Sequence, residues 1–279
     1  MPSMSSQQSH KPSPPAEPRR RVERVSVLMH GRPERVEEAG EVFAAVAERC
    51  RVEVVERPAD GDLLVVLGGD GTMLRALRLV LGEQTPCLGV NHGRVGFLTA
   101  IEGAELESGL ERAFAGDYFV VTIPTIVADD GAEAVVGVND VVLTSALLGR
   151  MAQVEWSVDG ESLGEVGCDG VVVATSTGST AYNLSAGGPV LAWGLDALVV
   201  SFVSPHSLHV RPMVLGRPHV LELANRSDDV PVEVIVDGHI HSRVGPGGRL
   251  SLHMGDQSAH LARLHGSSFF SRYRETFSH

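Results

Sequence analysis

The hydrophobic pattern of this chain changes period near Tyr118, so no single repeating architecture can accommodate both halves. Before that point, short apolar runs alternate with longer amphipathic stretches. "RVSVLMHG", from Arg24, reads as a strand closing on a glycine turn. In "PERVEEAGEVFAAVAERC", Pro33 stands at the start and Val36, Ala39, Phe43 and Val46 recur at helical spacing. "RVEVVE", "DLLVVLGG" and "PCLGVN" read as further strands, with helices predicted from about Thr72 to Leu81 and over "AELESGLERAFAG". Strands alternating with helices imply parallel strands joined by crossover helices. The expectation for residues 24–117 is therefore an α/β parallel-sheet domain.

After Tyr118 the runs become short, β-rich and punctuated by Gly, Pro and Asp: "YFVVTIPTIVA", "EAVVGVNDVVLTS", "MAQVEWSVDG", "VVVATS", "ALVVSFVS", "HVLELA", "VEVIVDGHIHSRV" and "RLSLHM". A β-rich domain is expected over 118–258, and a C-terminal segment over 259–279 whose "SSFFSRYRETF" is amphipathic and reads as helical. Residues 1–23, rich in Ser, Gln and Pro, read as a disordered tail. The fold class is α/β plus all-β. There is no internal repeat.

Composition narrows the function. A formal charge of −12 argues against a nucleic-acid partner. No run approaches the roughly 18 consecutive apolar residues of a membrane span, and the N-terminus lacks the apolar core of a secretory signal. Cys50, Cys87 and Cys168 lack C-x-x-C spacing, which disfavours structural zinc and a disulfide framework and fits a reducing cytoplasm. The only lysine among 23 basic residues is Lys11, in the tail. Mechanisms that need a buried lysine, such as a Schiff base or a P-loop, are thereby disfavoured.

The stretch "LVVLGGDGTMLRAL", 64–77, carries the first chemistry. Ligands of open α/β sheets bind beyond the carboxyl ends of strands. Gly68, Gly69 and Gly71 let the backbone turn sharply and present N–H groups, and with Thr72 at the start of the next helix they make an anion site. Arg75 is the arginine candidate beside it. Asp70 reads equally well as a helix N-cap or as a functional carboxylate. The dinucleotide fingerprint fails because Leu74 stands where G-x-G-x-x-G needs glycine. Two further clusters follow strands: "GVNHGRVGFLT", 89–99, and "CDGVVVATSTGSTAYNLSAGGP", 168–189, where Asn183 breaks the serine-hydrolase elbow.

"GGDGT", "NHGRVGFLT", "VND" and "DGVVVATSTGSTAYNLSAGGP", with "SPHSLHVRPMVL" and "FFSRYRETF", together resemble the NAD kinase family from about residue 24 to 277. "GGDGT" is shared with lipid kinases and phosphofructokinases, whereas "TGSTAYNLSAGGP" with "NxGxxGFL" is specific. The resemblance implies transfer of a phosphoryl group from ATP, or polyphosphate, to the 2′-hydroxyl of the adenosine ribose of NAD. Mg²⁺ would be the metal, with no protein ligand assigned to it. It further implies a homodimer or homotetramer and an active site between the two domains, completed in part by a neighbouring subunit.

By the same resemblance, Asp70 is the catalytic aspartate, and Asp70, Gly71 and Arg75 contact NAD from the first domain. Asn139, Asp140, Asp169, Thr180, Ala181, Tyr182, Asn183 and Ser185 complete the NAD site, with Ser204 and His239 beside it. Several positions depart from the family pattern. Asp140 stands for a commoner glutamate, Ser176 for proline, Gly167 for a basic residue, Ser204 for alanine and His239 for glutamine. The alternatives are a lipid or sugar kinase of the same superfamily, or a non-catalytic nucleotide-binding regulator. Asp237, His239 and His241 in "VDGHIH" alternate like metal ligands, but Asp-Gly reads better as a hairpin turn. His206 and His209 read as residues ordering a loop near the pocket, and Cys168 as a small buried filler.

Overall fold

The computed structural model describes residues 19–91 and 96–277. In chain order the first half holds β1 (Arg24–Met29), α1 (Pro33–Cys50), β2 (Glu53–Val54), β3 (Leu63–Leu67), α2 (Asp70–Leu79), β4 (Cys87–Asn91), β5 (Thr99–Glu102) and α3 (Leu106–Phe114). The strands β2, β1, β3, β4 and β5 are parallel neighbours in that order. Alternation along β3 decides the layers. Leu63, Val65 and Leu67 face a core shared with Phe43 of α1 and Leu110 and Phe114 of α3. Leu64 and Val66 face Met73, Ala76 and Leu77 of α2. "RVEVVE" yields only the two-residue β2, both of whose residues are exposed at the sheet edge.

The second half continues with β6 (Tyr118–Asp129), β7 (Ala134–Gly137), β8 (Asp140–Ser145), β9 (Ala152–Val158), β10 (Glu161–Cys168), β11 (Gly170–Ala174), α4 (Tyr182–Ser185) and β12 (Ala197–Val203). It ends with β13 (Met213–Gly216), β14 (Val220–Asn225), β15 (Val232–Val236), β16 (His239–Val244), β17 (Arg249–Leu264) and α5 (Phe269–Phe277). A six-stranded antiparallel sheet runs β13-β12-β11-β8-β15-β16. Its inner face, with Val141, Leu143, Val171, Val173, Val200 and Val234, packs on Trp156, Leu221, Leu223 and Leu252 of a second sheet. The outer face carries Val142, Val172 and Ala174.

That second sheet is continuous with the parallel one. β17 pairs with β14 and β6, and Leu261 then pairs with Cys87 of β4. Its register shifts between Met254 and Ser258, a bulge that bends one strand into both units. Residues 259–264, expected in the terminal segment after the β-rich domain, are the end of this strand, and helix begins only at Phe269. Arg19–Glu23, expected in the tail, are docked: Val22 is 1% exposed and its N–H donates to the Phe114 carbonyl. The apolar side chain among arginines gives this stretch a core contact. Residues 1–18 of the expected tail lie outside the described residues.

Candidate active site

The helix carrying "GGDGT" starts at Asp70, two residues earlier than its periodicity predicts, with Gly69 as the N-cap. Asp70 is therefore not the cap. Its carboxylate turns toward the next loop, where Oδ2 accepts the Phe97 N–H at 2.8 Å and Oδ1 accepts the Leu98 N–H at 3.1 Å. Gly96 is required here, because a Cβ at that position would lie 2.1 Å from Asp70 Oδ1. By contrast, among the described residues a Cβ at Gly69 or Gly71 would meet nothing within 4 Å. Packing among the described residues does not explain those two glycines, which stand at a helix start where the first backbone N–H groups lack an intrahelical acceptor. Gly68 and Thr72 are buried behind it. Residues 92–95 of the second glycine-rich cluster lie outside the described residues.

One face of α2 leads from Asp70 to a cleft. Asp70, Leu74 and Arg78 follow each other at four-residue spacing, and Leu74 lines a cavity of about 310 Å³ with Asn139, Asp140, Val142, Ala181, Tyr182, Ile235, Asp237 and Gly238. Arg75 instead lies on the exposed row with Gly71 and Leu79, away from these lining residues. The cleft thus takes walls from both halves of the chain. Val142 and Ile235 give it an apolar floor, and Tyr182, 45% exposed, gives it an aromatic wall.

Asp237 organises the polar end. At a left-handed turn residue (φ 48°), its buried carboxylate accepts the N–H groups of Val138, Asn139 and Asp140. Arg78 Nε lies 3.8 Å from it. Asp140 is 7% exposed, and burial, with the charge of Asp237, pushes its carboxyl up to about 7. Asn139 Oδ1 is buried without a hydrogen-bond partner among the described residues. The backbone of Asn139 also packs on Gly178, where a Cβ would lie 2.1 Å from the Asn139 carbonyl oxygen.

Sequence reasoning missed Leu74, Arg78, Val142, Ile235 and Asp237. The four-residue spacing from Asp70 would have found Leu74 and Arg78. Asp237 was read as a hairpin residue, and it is one, between β15 and β16, but its side chain points inward. Asn183 is not available to a ligand. It is fully buried, with Nδ2 donating to the Ser179 and Pro189 carbonyls and Oδ1 accepting from Ser201. Thr180 is half-buried with its hydroxyl on the Thr177 carbonyl, and Ser185 is exposed at the end of α4. His239 is exposed next to the cleft's Asp237–Gly238 rim. His239 and His241 form no metal centre with Asp237, and among the described residues no group of three His, Cys, Asp or Glu could hold an ion. Cys168 is buried as a core filler.

Asp169 and Ser204 are elsewhere. In the pairing of β8 with β11, Asp140 opposes Ala174, whereas Gly170, next to Asp169, opposes Thr144. Five residues of strand, roughly 17 Å, separate the two ends. Ser204 follows Val203, whose carbonyl accepts the Asp169 N–H. The His206 N–H donates to the Gly167 carbonyl at the same far end, so the 204–209 loop is not near the cleft of its own chain.

An α/β unit thus presents a fixed carboxylate at a glycine-lined helix start, beside a cleft shared with a β-sandwich. Two family models match this chain, the ATP-NAD kinase N-terminal domain over residues 21–118 and the ATP-NAD kinase C-terminal domain over residues 138–264. The chain belongs to the ATP-NAD kinase family. It is 40% identical over 223 residues to the NAD kinase of Gemmatimonas aurantiaca, covering 76% of each chain. It is 38% identical over 228 residues to that of Heliobacterium modesticaldum, covering 80% of this chain and 81% of the other. Among solved structures, an NAD kinase from Archaeoglobus fulgidus in complex with ATP matches with a TM-score of 0.73 at 28% identity, over 91% of this chain and 97% of that one. Yeast NADH kinase complexed with NADH shares the fold, with a TM-score of 0.81 at 21% identity over 92% of this chain and 88% of that one. Among the described residues no helix is long and apolar enough to cross a membrane.

Proposed function

We propose that this NAD kinase transfers the terminal phosphoryl group of ATP to the 2′-hydroxyl of the adenosine ribose of NAD, giving NADP. The observation that carries the reading is the half-buried Asp70 carboxylate, fixed by two backbone N–H groups at the start of α2. Each of its oxygens accepts one N–H and keeps a lone pair for a substrate hydroxyl. Asp70 orients the 2′-hydroxyl in line with the terminal phosphorus. The 2′-oxygen–phosphorus bond forms as the bond to the leaving ADP oxygen breaks, and the hydroxyl proton passes to the carboxylate. A carboxylate is too weak a base to remove that proton beforehand, so orientation is its larger contribution.

The cleft suits the adenosine half of NAD. Tyr182 and Ala181 flank a base, Val142 and Ile235 lie beneath it, and Asn139 Oδ1 offers an acceptor to an exocyclic amine. Thr180 and Ser185 flank the same α4 segment, and His239 adjoins the rim. The helix start at Gly69 and Gly71 supplies backbone donors for phosphates, in a site without lysine, whereas the N–H groups of Gly68 and Thr72 are spent on the Val90 and Gly69 carbonyls. A Mg²⁺ ion held chiefly by donor phosphates and water would offset charge on the transferred group.

The cleft of about 310 Å³ is of a size for the adenosine portion of NAD. The position of Asp169 and Ser204 at the far end of the sheet from Asp140 supports a reading in which they serve the site of a neighbouring subunit in a homodimer or homotetramer. Exposed Leu147, Leu148, Leu208, Met213 and Val214 on the β-rich unit support an interface there. Three free cysteines suit a cytoplasmic enzyme.

Purified protein with NAD, ATP and Mg²⁺ should generate NADP detectable with a coupled dehydrogenase, with polyphosphate and NADH run as alternative donor and acceptor. Asp70→Asn should abolish turnover and retain NAD binding. No NADP with any donor would overturn the activity; full turnover in the variant would overturn the role of Asp70. A lipid or sugar kinase would leave NAD unphosphorylated in the same assay while consuming ATP with its own acceptor.

A further inference from the structure

Arg263, near the end of β17, is the largest fully buried side chain among the described residues. Its guanidinium lies 4.6 Å from the centroid of the Trp193 ring, and Nη1 donates to the Thr99 carbonyl at 2.6 Å. Nε and Nη2 have no hydrogen-bond partner among the described residues. A buried charge with so few partners is a poor way to stabilise a core, since a well-packed apolar side chain would do as well or better. Its one strong bond therefore matters.

Thr99 directly follows Phe97 and Leu98, the two residues whose N–H groups hold Asp70. Arg272 of α5, also buried, donates to the same Thr99 carbonyl at 3.3 Å. The Phe97 ring is seated on the same helix, with centroids 6.4 Å from Phe269 and 5.5 Å from Phe277. Both ends of the 97–99 segment are thus pinned by β17 and α5, elements more than 150 residues away in sequence.

We propose that Arg263 and Arg272 are positioning residues for Asp70: they clamp the Thr99 carbonyl and so set the direction of the Phe97 and Leu98 N–H groups that aim its carboxylate. The inference rests on Asp70 being the catalytic carboxylate. The buried guanidinium stays charged at neutral pH. Burial and the neighbouring Arg272 push it down to about 9, while the charges of Asp70 and Glu275 act in the opposite sense.

The test compares the full-length protein with its Arg263→Lys, Arg263→Met and Arg272→Met variants. It measures kcat and KM for NAD, the thermal midpoint, and hydrogen–deuterium exchange of the peptide spanning 96–99. Loss of the clamp should lower kcat about ten- to a hundredfold while leaving KM for NAD within about twofold. Lysine, which keeps the charge and one donor, should retain more turnover than methionine at position 263. Exchange should quicken in the 96–99 peptide and stay unchanged in β11 and β12. If Arg263→Met does not fold, Arg272→Met is judged by the same criteria. Wild-type kcat and exchange in the folded variants would overturn the proposal. So would kcat, NAD affinity and thermal midpoint all falling together with exchange rising throughout. If the unmodified protein makes no NADP, the functional reading fails separately, and the exchange measurement still decides the clamp.

Discussion

Arg78, two turns along the helix that begins at Asp70, lies 3.8 Å from the carboxylate of Asp237, which is wholly buried in the other unit. This ion pair joins α2 to the hairpin that holds the Asn139–Asp140 corner. The guanidinium is one-third exposed, so solvent screens much of its attraction. The three backbone N–H bonds of Asp237 are not screened in this way, and they fix the corner.

Asp237→Ala should therefore destabilise the protein markedly, by about 2–4 kcal/mol, because it strands buried backbone donors. Urea unfolding measures it. Arg78→Met should change stability little and raise KM for NAD, since it loosens one wall of the cleft without leaving a buried group unpaired.

Gly96→Ala should abolish most turnover in a protein that still folds. The added methyl group would lie 2.1 Å from Asp70 Oδ1, forcing either the carboxylate or the loop to move. Displacement of a reacting group by about 1 Å costs on the order of a hundredfold in rate. Steady-state kinetics and the circular dichroism spectrum together distinguish this outcome from misfolding.

The Asp140 carboxyl introduces a pH dependence. Folding raises it from the ordinary carboxylate range to about 7. Between those values the folded state holds a proton that the unfolded chain has released, so this group's contribution to stability is lost as pH rises through the window. Asp140→Asn should flatten the decline of the thermal midpoint between about pH 4 and about pH 7, and should weaken NAD binding. An unchanged midpoint profile would show that Asp140 is not the group responsible.

The proposal that a neighbouring subunit completes the site is tested by complementation. Asp70→Asn and Asp169→Asn chains should each be severely impaired alone. Unfolded together and refolded as a one-to-one mixture, they should regain about a quarter of wild-type sites, since half the dimers are mixed and each mixed dimer has one intact site. No recovery would place Asp70 and Asp169 in the same chain's site or make Asp169 dispensable.

The parallel sheet was legible because Leu63–Leu67 and Cys87–Asn91 are short continuous apolar runs set between amphipathic helices. β10 escaped notice because "ESLGEVGC" is mostly exposed and carries no alternation until Val166. β5 and β13 are four residues each, too short to show a period. The far half of β17 was taken for the start of a terminal segment. Its strand character depends on lying between β6 and β4, which no local pattern announces.

The sequence by itself determined the order of elements, the glycine-lined turn at Asp70, the Asn139–Asp140 corner and the family to which they belong. These are local matters: side-chain period, turn chemistry and contiguous motifs are properties of neighbouring residues. Tertiary structure decided what Asp70 does with its carboxylate, why Asn183 is spent inside the fold, and why Asp169 lies at the wrong end of the sheet for its own cleft. Each depends on groups brought together across long stretches of chain, where burial and hydrogen-bond geometry fix a side chain's direction. "GGDGT" alone leaves open whether Asp70 caps its helix; the Phe97 and Leu98 N–H groups, which hold its carboxylate away from the helix start, show that it does not.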